Sequence, residues 1–226
     1  MSIYAISDLH LSLSADKPMN IFRGWDNYVE RIRANWIKIV GENDTVVLPG
    51  DLSWGLKLSD TVKDFRLLNN LPGKKIILKG NHDLWWPTLT KLQAFFDENS
   101  FSTIKMIHNN AIVVEDRAVC GTRGWFFDSA EQGLKVINRE ALRLETSISA
   151  AEATGKKPLV FLHYPPVYST QVCSEMLTVL KNHNIETVYH GHIHGTGFHK
   201  SVTEYDGIKL KLISCDCIDF TPFFII

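Results

Sequence analysis

The chain has 226 residues, a length that we interpret as one domain spanning residues 1–226. Hydrophobic residues make up 45% of the sequence and aromatic residues 11%, which excludes a disordered or low-complexity protein. The 24 basic and 25 acidic side chains leave a formal net charge of -1. Because this composition gives no general attraction for polyanions, we expect neither long nucleic acid nor a membrane as a partner.

The sequence indicates neither a membrane anchor nor a disulfide framework. No apolar run approaches the roughly 20 residues that cross a membrane. The first seven residues lead into a polar motif without the basic start of a signal peptide. These features predict a soluble, cytoplasmic protein. The four cysteines are too few for a disulfide framework in a chain of this length, and we expect them to be buried thiols.

Short apolar runs typical of strands alternate with helical patterns, which predicts an α/β fold. In chain order, we predict a strand at 3–6, an amphipathic helix over 25–39, strands at 45–48 and 75–78, and a helix after Pro87. A hairpin of 111–114 with 118–120 follows, then a long helix from about 128 to 153, a strand at 159–162 and a hairpin of 202–205 with 208–213. The hairpins indicate that the sheet cannot be purely parallel.

Residue types that bind metals come directly after predicted strands. These residues are Asp8 and His10, then Asp51, then Asn81, His82 and Asp83, then His163, and finally His192 and His194. Because neighbouring strands deliver their carboxyl ends to one edge of a sheet, we expect the five segments to meet there. Two carboxylates, one amide and several imidazoles suit Mn, Fe or Zn better than Mg or Ca.

The charge of such a site indicates its chemistry. Asp8 and Asp51 are the only anionic ligands in the predicted set, so two divalent cations would leave the site positively charged and attractive to phosphate. A water that bridges two metals supplies hydroxide at neutral pH, and the pair holds the attacking and leaving oxygens of an in-line displacement. The sequence therefore predicts a phosphoesterase in which a metal-bridging hydroxide attacks phosphorus.

The alcohol that leaves in this reaction needs a proton, which a histidine beside the ligands can supply. His82 lies between Asn81 and Asp83 and is the predicted donor. Asp83 is the predicted partner that orients the His82 ring or raises its pKa.

The ordered motifs resemble those of the calcineurin-like metallophosphoesterases: Asp-x-His, Gly-Asp, Gly-Asn-His-Asp, a lone His and Gly-His-x-His. The resemblance implies that Asp8, His10 and His194 hold one metal, that Asn81, His163 and His192 hold the other, and that Asp51 bridges them. It implies that His82 contacts the phosphate and helps to protonate the leaving group, and that two mixed β-sheets pack as a sandwich with flanking helices. With Asn81 and His82, Arg123 is a predicted substrate-binding residue, although a surface salt bridge is an equal alternative for Arg123.

Several further residues have an ordinary structural interpretation beside a functional one. His190 is a candidate for supporting a ligand, whereas His108, His183 and His199 are expected to be surface or hydrogen-bonding residues. Nothing in the sequence places Asp216 or Asp219 at the site. A substrate rim and a connector without function are the alternatives for the polar loop 11–18. A substrate rim and core packing are the alternatives for the aromatic residues that follow the motifs, which are Trp54, Trp85, Trp86, Trp125, Phe126 and Phe127.

The substrate is less constrained than the chemistry. A small phosphodiester or nucleotide is the preferred substrate, and the alternatives are a phosphomonoesterase or protein phosphatase of the same family. A rival of another class is a non-catalytic scaffold with this fold, which is disfavoured because every ligand position and His82 are filled. A mononuclear structural site is disfavoured because seven candidate ligands exceed the four of a closed tetrahedral site.

Overall fold

The structure is a computed structural model, and it describes residues 1–126 and 133–226. In these ranges the α-helices are α1 (Tyr28–Ile39), α2 (Val62–Asn70), α3 (Leu89–Glu98), α4 (Leu134–Glu152) and α5 (Ser174–Asn182). The strands are β1 (Ile3–Ala5), β2 (Thr45–Pro49), β3 (Lys74–Leu78), β4 (Ile104–Met106), β5 (Ile112–Val114), β6 (Arg117–Thr122), β7 (Lys157–Leu162), β8 (Val167–Tyr168), β9 (Gln171–Val172), β10 (Thr187–His190), β11 (Glu204–Tyr205), β12 (Ile208–Leu212) and β13 (Phe223–Phe224).

The larger strands form two mixed sheets. The first has the order β13-β1-β2-β3-β4, in which only β13 is antiparallel to its neighbour. The second has the order β11-β12-β10-β7-β6-β5, with a parallel centre and an antiparallel hairpin at each edge. Strands β8 and β9 form a separate small hairpin. The predicted α/β fold with two mixed sheets and flanking helices is confirmed.

Alternation along the central strands explains the layers. In β2, Val47 packs into the core between the sheets, whereas Val46 and Leu48 pack into the core under the helices of the first sheet. In β7, Phe161 enters the core between the sheets, and its neighbours Val160 and Leu162 pack under α4 and α5. Successive side chains of a strand point to opposite faces, so apolar residues on both faces indicate a sheet that is covered on both sides.

The helices bury one stripe each. In α1, Tyr28, Ile32 and Trp36 recur every four residues and are buried, which explains why this segment covers the first sheet. The predicted strands, both hairpins and the helices after Trp25 and Pro87 are confirmed, with ends that shift by a few residues. Of the predicted helix 128–153, the structure contains α4, and residues 128–132 lie outside the described residues. Helices α2 and α5 were not predicted.

The two sheets are joined by backbone hydrogen bonds just beyond β1. Ser7 donates its N–H to the carbonyl of Ile213 at 2.9 Å, and Cys215 donates its N–H to the carbonyl of Ser7 at 2.9 Å. This junction fixes the carboxyl ends of the two sets of strands against each other.

The cysteine prediction is partly wrong. Cys120, Cys173 and Cys215 are buried free thiols, but Cys217 is exposed because it lies in the turn after β12. In the described residues no helix combines the length and apolar character that a membrane crossing requires.

Candidate metal centre

Four of the predicted ligands sit on an unusual backbone. Asp8, His10, Asp51 and His192 have φ angles of 62°, 46°, 53° and 72°. Residues other than glycine rarely adopt this left-handed region, and where they do the surrounding structure must hold them there. The tight turns at the ends of the strands aim several polar side chains at one point, which is the kind of strain that collects at functional sites.

One group of candidate ligands contains Asp8, His10 and His194. One ligand atom from each of the three side chains lies within 4.8 Å of the others. Nε2 of His194 lies 3.2 Å from Oδ1 of Asp8 and 3.4 Å from Nε2 of His10. Asp8 and His10 are buried, whereas the His194 side chain is 30% exposed, so this group lies where the core meets the surface.

A second group contains Asp51, His163 and His192, whose ligand atoms also lie within 4.8 Å of one another. Asn81 completes it, because its Oδ1 lies 2.6 Å from Nε2 of His163 and 3.0 Å from Nδ1 of His192. The structure therefore brings together the amide oxygen and two imidazole nitrogens that the sequence placed on three separate segments.

Asp51 lies between the two groups. Its Oδ2 is 3.4 Å from Nε2 of His163 and 3.9 Å from Nε2 of His10. Its Oδ1 accepts the backbone N–H of His82 at 2.8 Å. This position is the one expected of a carboxylate that bridges two cations.

The electrostatics of the site favour bound positive charge. Burial alone would raise the pKa of Asp8, but His163, His194 and His10 hold it well below its usual range. Burial alone would lower the pKa values of His163 and His194, but nearby carboxylates raise them to about 9 and about 10. In the described residues the ion-pair partners of Asp8 and Asp51 are all histidines. Two buried carboxylates with neither lysine nor arginine beside them suit divalent cations.

In two candidate ligands, the ring nitrogen that faces away from the other ligands donates a hydrogen bond. Nδ1 of His194 donates to Oδ1 of Asp216 at 2.8 Å, and Nδ1 of His163 donates to the carbonyl of Pro49 at 3.1 Å. Each bond sets the tautomer that leaves Nε2 free to bind a cation. Ser214 adds a hydroxyl donor to Oδ2 of Asp8 at 3.1 Å.

Sequence reasoning missed Asp216. A signal was present, because Asp216 follows the hairpin strand 208–213 in the same way that the other clusters follow their strands. Asp219 is elsewhere, since its carboxylate pairs with Arg31 at 2.5 Å and is exposed.

Two motif glycines are needed for close approach. A Cβ atom on Gly191 would lie 2.1 Å from both Oδ2 of Asp8 and Oγ of Ser7. A Cβ atom on Gly80 would lie 2.1 Å from Oδ1 of Asp51. Any side chain at either position would displace a carboxylate of the site.

Asp83 has a different environment from the one predicted. Its buried carboxylate accepts backbone N–H groups of Asp51 at 2.9 Å, Leu52 at 2.9 Å and Gly80 at 2.8 Å. In the part of the chain that the structure describes, no hydrogen bond joins it to the His82 ring. Burial and the Asp51 carboxylate raise the pKa of Asp83 to about 7, against the effect of these amide donors. Asp83 therefore positions the backbone of the Asp51 turn.

A family model for calcineurin-like phosphoesterases matches residues 1–196. The chain belongs to the calcineurin-like phosphoesterase family. No curated protein sequence matches it significantly. The family and the two candidate ligand groups indicate a metal-dependent phosphoesterase with a dinuclear site for divalent cations.

Solved structures show the same fold at low sequence identity. A protein of unknown function, AQ665 from Aquifex aeolicus, is 18% identical with a TM-score of 0.58, over 99% of this chain and 95% of that one. TT1561 of Thermus thermophilus is 16% identical with a TM-score of 0.60, over 99% and 97%. Phosphopantetheinyl hydrolase (PptH) from Mycobacterium tuberculosis is 15% identical with a TM-score of 0.52, over 94% and 88%.

In this phosphoesterase a cavity of about 510 Å³ opens beside the candidate ligands. His10, His82 and His194 form its polar wall, and Trp25 and Trp54 form part of its apolar wall. Trp54 stacks on His10 with ring centroids 4.8 Å apart, and it lies 4.6 Å from the exposed ring of His82. A flat or apolar group next to a phosphate would therefore have a surface to pack against.

Among the described residues, the other aromatic side chains that follow the motifs do not line this cavity. Trp85 and Trp86 are buried in the core. Phe126 is half-buried and packs against the core under α4, and Phe127 lies outside the described residues. Trp125 lies under the guanidinium of Arg123, 4.1 Å from it. Loop 11–18 does not line the metal-site cavity, but Met19 and Phe22 just beyond it do.

The remaining histidines include no further candidate ligand in the described residues. His190 is buried beneath the site, where its Nδ1 lies 3.2 Å from the carbonyl of Gly191 and burial lowers its pKa to about 4. His183 pairs with Glu145 and Glu152, His199 is exposed and His108 is exposed at the surface, as expected.

Proposed function

We propose that the chain is a dinuclear phosphoesterase that acts on small phosphodiesters or nucleotides. The observation that carries the proposal is the position of Asp51 between two groups of candidate ligands, one of which reaches the wall of a cavity through His10 and His194. Two properties of the protein stay predictions from the sequence: its localisation in the cytoplasm and its single domain of residues 1–226.

The proposed ligands are Asp8, His10 and His194 for one cation and Asn81, His163 and His192 for the other, with Asp51 shared. Two cations of Mn, Fe or Zn would supply hydroxide at neutral pH and offset the negative charge of the phosphate. Buried carboxylates and tautomer-fixed histidines hold the site in shape before substrate arrives.

His82 is the proposed proton donor. Its backbone is fixed by the N–H···Oδ1 bond to Asp51, while its ring is exposed at the cavity. The ring is therefore close to the site yet able to reach a leaving oxygen. We also propose that Asn81 and His82 contact the phosphate.

The cavity supports the preference for a phosphate with a flat or apolar alcohol. Trp25, Trp54 and Met19 give it a mainly apolar wall, and Arg23 adds a positive charge at the rim. Base stacking on an aromatic ring contributes ~1–3 kcal/mol. A nucleotide or a small aromatic or apolar diester fits these properties better than a bare sugar phosphate does.

The test is hydrolysis by Mn-reconstituted protein of a chromogenic phosphodiester beside its monoester, with both values of kcat/KM measured in one buffer. We expect the diester to have the higher value, and the variant Asp51→Asn to lose both activities. A higher value for the monoester would replace the proposal with a phosphomonoesterase or protein phosphatase. Full metal binding without hydrolysis of either compound would favour the scaffold.

The Trp54→Ala variant tests the pocket separately. We expect it to raise KM for an aromatic diester about tenfold, which corresponds to the stacking energy of a base. KM for a phosphodiester that carries only methyl groups should change little. Equal effects on both classes of ester would argue that Trp54 only supports His10.

A further inference from the structure

A second cavity, of about 220 Å³, lies further along the same edge of the sheets. Lys79 contributes from the end of β3, Arg123 from the segment after β6, and Arg139 and Arg143 from α4. The residues that line it do not overlap with those of the metal-site cavity. Arg123, predicted from sequence to bind substrate, lies here.

The cavity has an excess of positive charge. Four cationic side chains line it, in a chain whose formal net charge is -1. The carboxylate on the adjoining turn of α4, Glu140, is fully buried and already bonded. It accepts from Arg143 at 2.6 Å, and from Thr122 Oγ1 and the N–H of Gly124 at 3.2 Å each.

The other three cations have no such partner. Within residues 1–126 and 133–226, Lys79, Arg123 and Arg139 form no ion pair. Among the residues that the structure describes, the buried Nε of Arg123 has no hydrogen-bond acceptor, and the guanidinium is held over the Trp125 ring. A buried donor without an acceptor is unfavourable, and an oxyanion would satisfy it.

The effect of the cations on their surroundings supports their proximity. His108 lines the cavity at the surface, and its partial burial, followed by the charges of Arg143 and Lys79, lowers its pKa. Positive charges from two different elements therefore act at the same place.

We propose that Lys79, Arg123, Arg139 and Arg143 form a binding site for a phosphate group distinct from the one that is hydrolysed. Phosphate suits this site because one guanidinium group can donate two parallel hydrogen bonds to two phosphate oxygens, and because the charges are complementary.

The cavity is joined to the metal centre through the backbone. Lys79 directly precedes Gly80 and Asn81, and the carbonyl of Arg123 accepts the N–H of Tyr164, the neighbour of His163, at 2.9 Å. The phosphate bound here is therefore either a free phosphate ion or a second phosphate group of the substrate. The substrate-borne form rests on the proposed function, whereas binding of free phosphate does not.

The first arm of the test is calorimetric titration of inorganic phosphate into the Mn-loaded full chain. We expect two binding events in the wild type, one at each cavity. Arg139→Gln should weaken one event about tenfold, because it removes one of the four cations of the site. Arg139 is exposed, so its loss should leave the fold intact. Arg123→Lys, which keeps the charge but removes the paired donors, should weaken the same event less.

Arg33→Gln is the matched control, since Arg33 is exposed on α1 away from both cavities. It should leave both events unchanged. A single binding event with the same affinity in all variants would overturn the proposal, whether or not the protein hydrolyses any ester.

The second arm identifies the source of the phosphate. Two matched p-nitrophenyl phosphodiesters are compared, one of which carries an additional phosphate on its alcohol. If Arg139→Gln raises KM about tenfold for that compound alone, the site binds a second phosphate of the substrate. If Arg139→Gln weakens phosphate binding in the calorimeter but leaves the ratio of the KM values for the two diesters unchanged, the site binds free phosphate.

Discussion

The carboxylate of Asp216 orients the His194 ring by a hydrogen bond on the side of the ring that faces away from Asp8. Nδ1 of His194 donates to Oδ1 of Asp216 at 2.8 Å, and Nε2 on the other side of the ring lies 3.2 Å from Oδ1 of Asp8. Oδ2 of Asp216 also accepts the N–H of Gly195 at 3.1 Å, so the carboxylate is fixed in turn. This relationship sets both the direction and the tautomer of a proposed metal ligand.

Asp216→Asn should therefore weaken metal binding without changing the ligand set. Support of a histidine ligand by a carboxylate typically changes metal affinity about 10–100-fold. We expect a loss of that size in a Mn titration followed by calorimetry, confined to one of two binding events.

Asp219→Asn is the matched control for this prediction. Asp219 lies three positions along the chain, but its carboxylate is exposed and pairs with Arg31. Its Mn affinities should equal those of the wild type. Identical Mn affinities in the two variants would show that Asp216 has no role in orienting His194.

Asp51→Asn should affect both metal positions at once. Oδ2 of Asp51 faces His163 of one group and His10 of the other, so its charge is shared between them. We expect the metal content of the purified variant to fall from about two ions per chain to less than one, measured by elemental analysis alongside turnover of a diester. Two tightly held ions and normal turnover would contradict the assignment of Asp51 as the bridge.

The sequence was sufficient to predict the fold class and the convergence of the motifs, because both follow from local patterns. Alternating apolar runs identified the central strands, and the polar residues directly after them marked one edge of the sheets. The hairpins around Glu115 and Asp206 were visible from their turn residues. These features depend on a few neighbouring residues, which a single sequence shows.

What the sequence could not supply depends on contacts between distant segments. Asp216 follows a predicted strand, but it meets His194 because β12 lies beside β10, and the sequence around Asp216 does not show that pairing. The Asp83 carboxylate turns away from His82 because the backbone N–H groups of the Asp51 turn surround it. Arg123 lies in the second cavity because α4 packs over β6.

The pH dependence of stability should have a contribution from His183, far from the metal centre. Burial alone would lower its pKa, but Glu152 and Glu145 of α4 raise it above the ordinary value. A raised pKa in the folded state means that the pair stabilises fully below the ordinary value of about 6.5 and is lost as pH rises through the folded value.

The Tm of His183→Gln should consequently fall further below that of the wild type at about pH 6 than at about pH 9. His199→Gln, at an exposed position, should show no such difference. A gap between wild type and His183→Gln that is constant with pH would mean that His183 acts through packing alone.

His82→Ala should separate proton donation from metal binding. The ring is exposed beside Trp54 and outside both groups of candidate ligands, so the variant should retain its metals. Proton donation matters most when the leaving alcohol is a weak acid, so turnover should fall about 10²–10⁴-fold for alkyl esters and much less for p-nitrophenyl esters. The measurement is kcat/KM for a series of diesters plotted against the pKa of the leaving alcohol, which should become steeper in the variant. An equal fall across the series would show that His82 binds phosphate without supplying the proton.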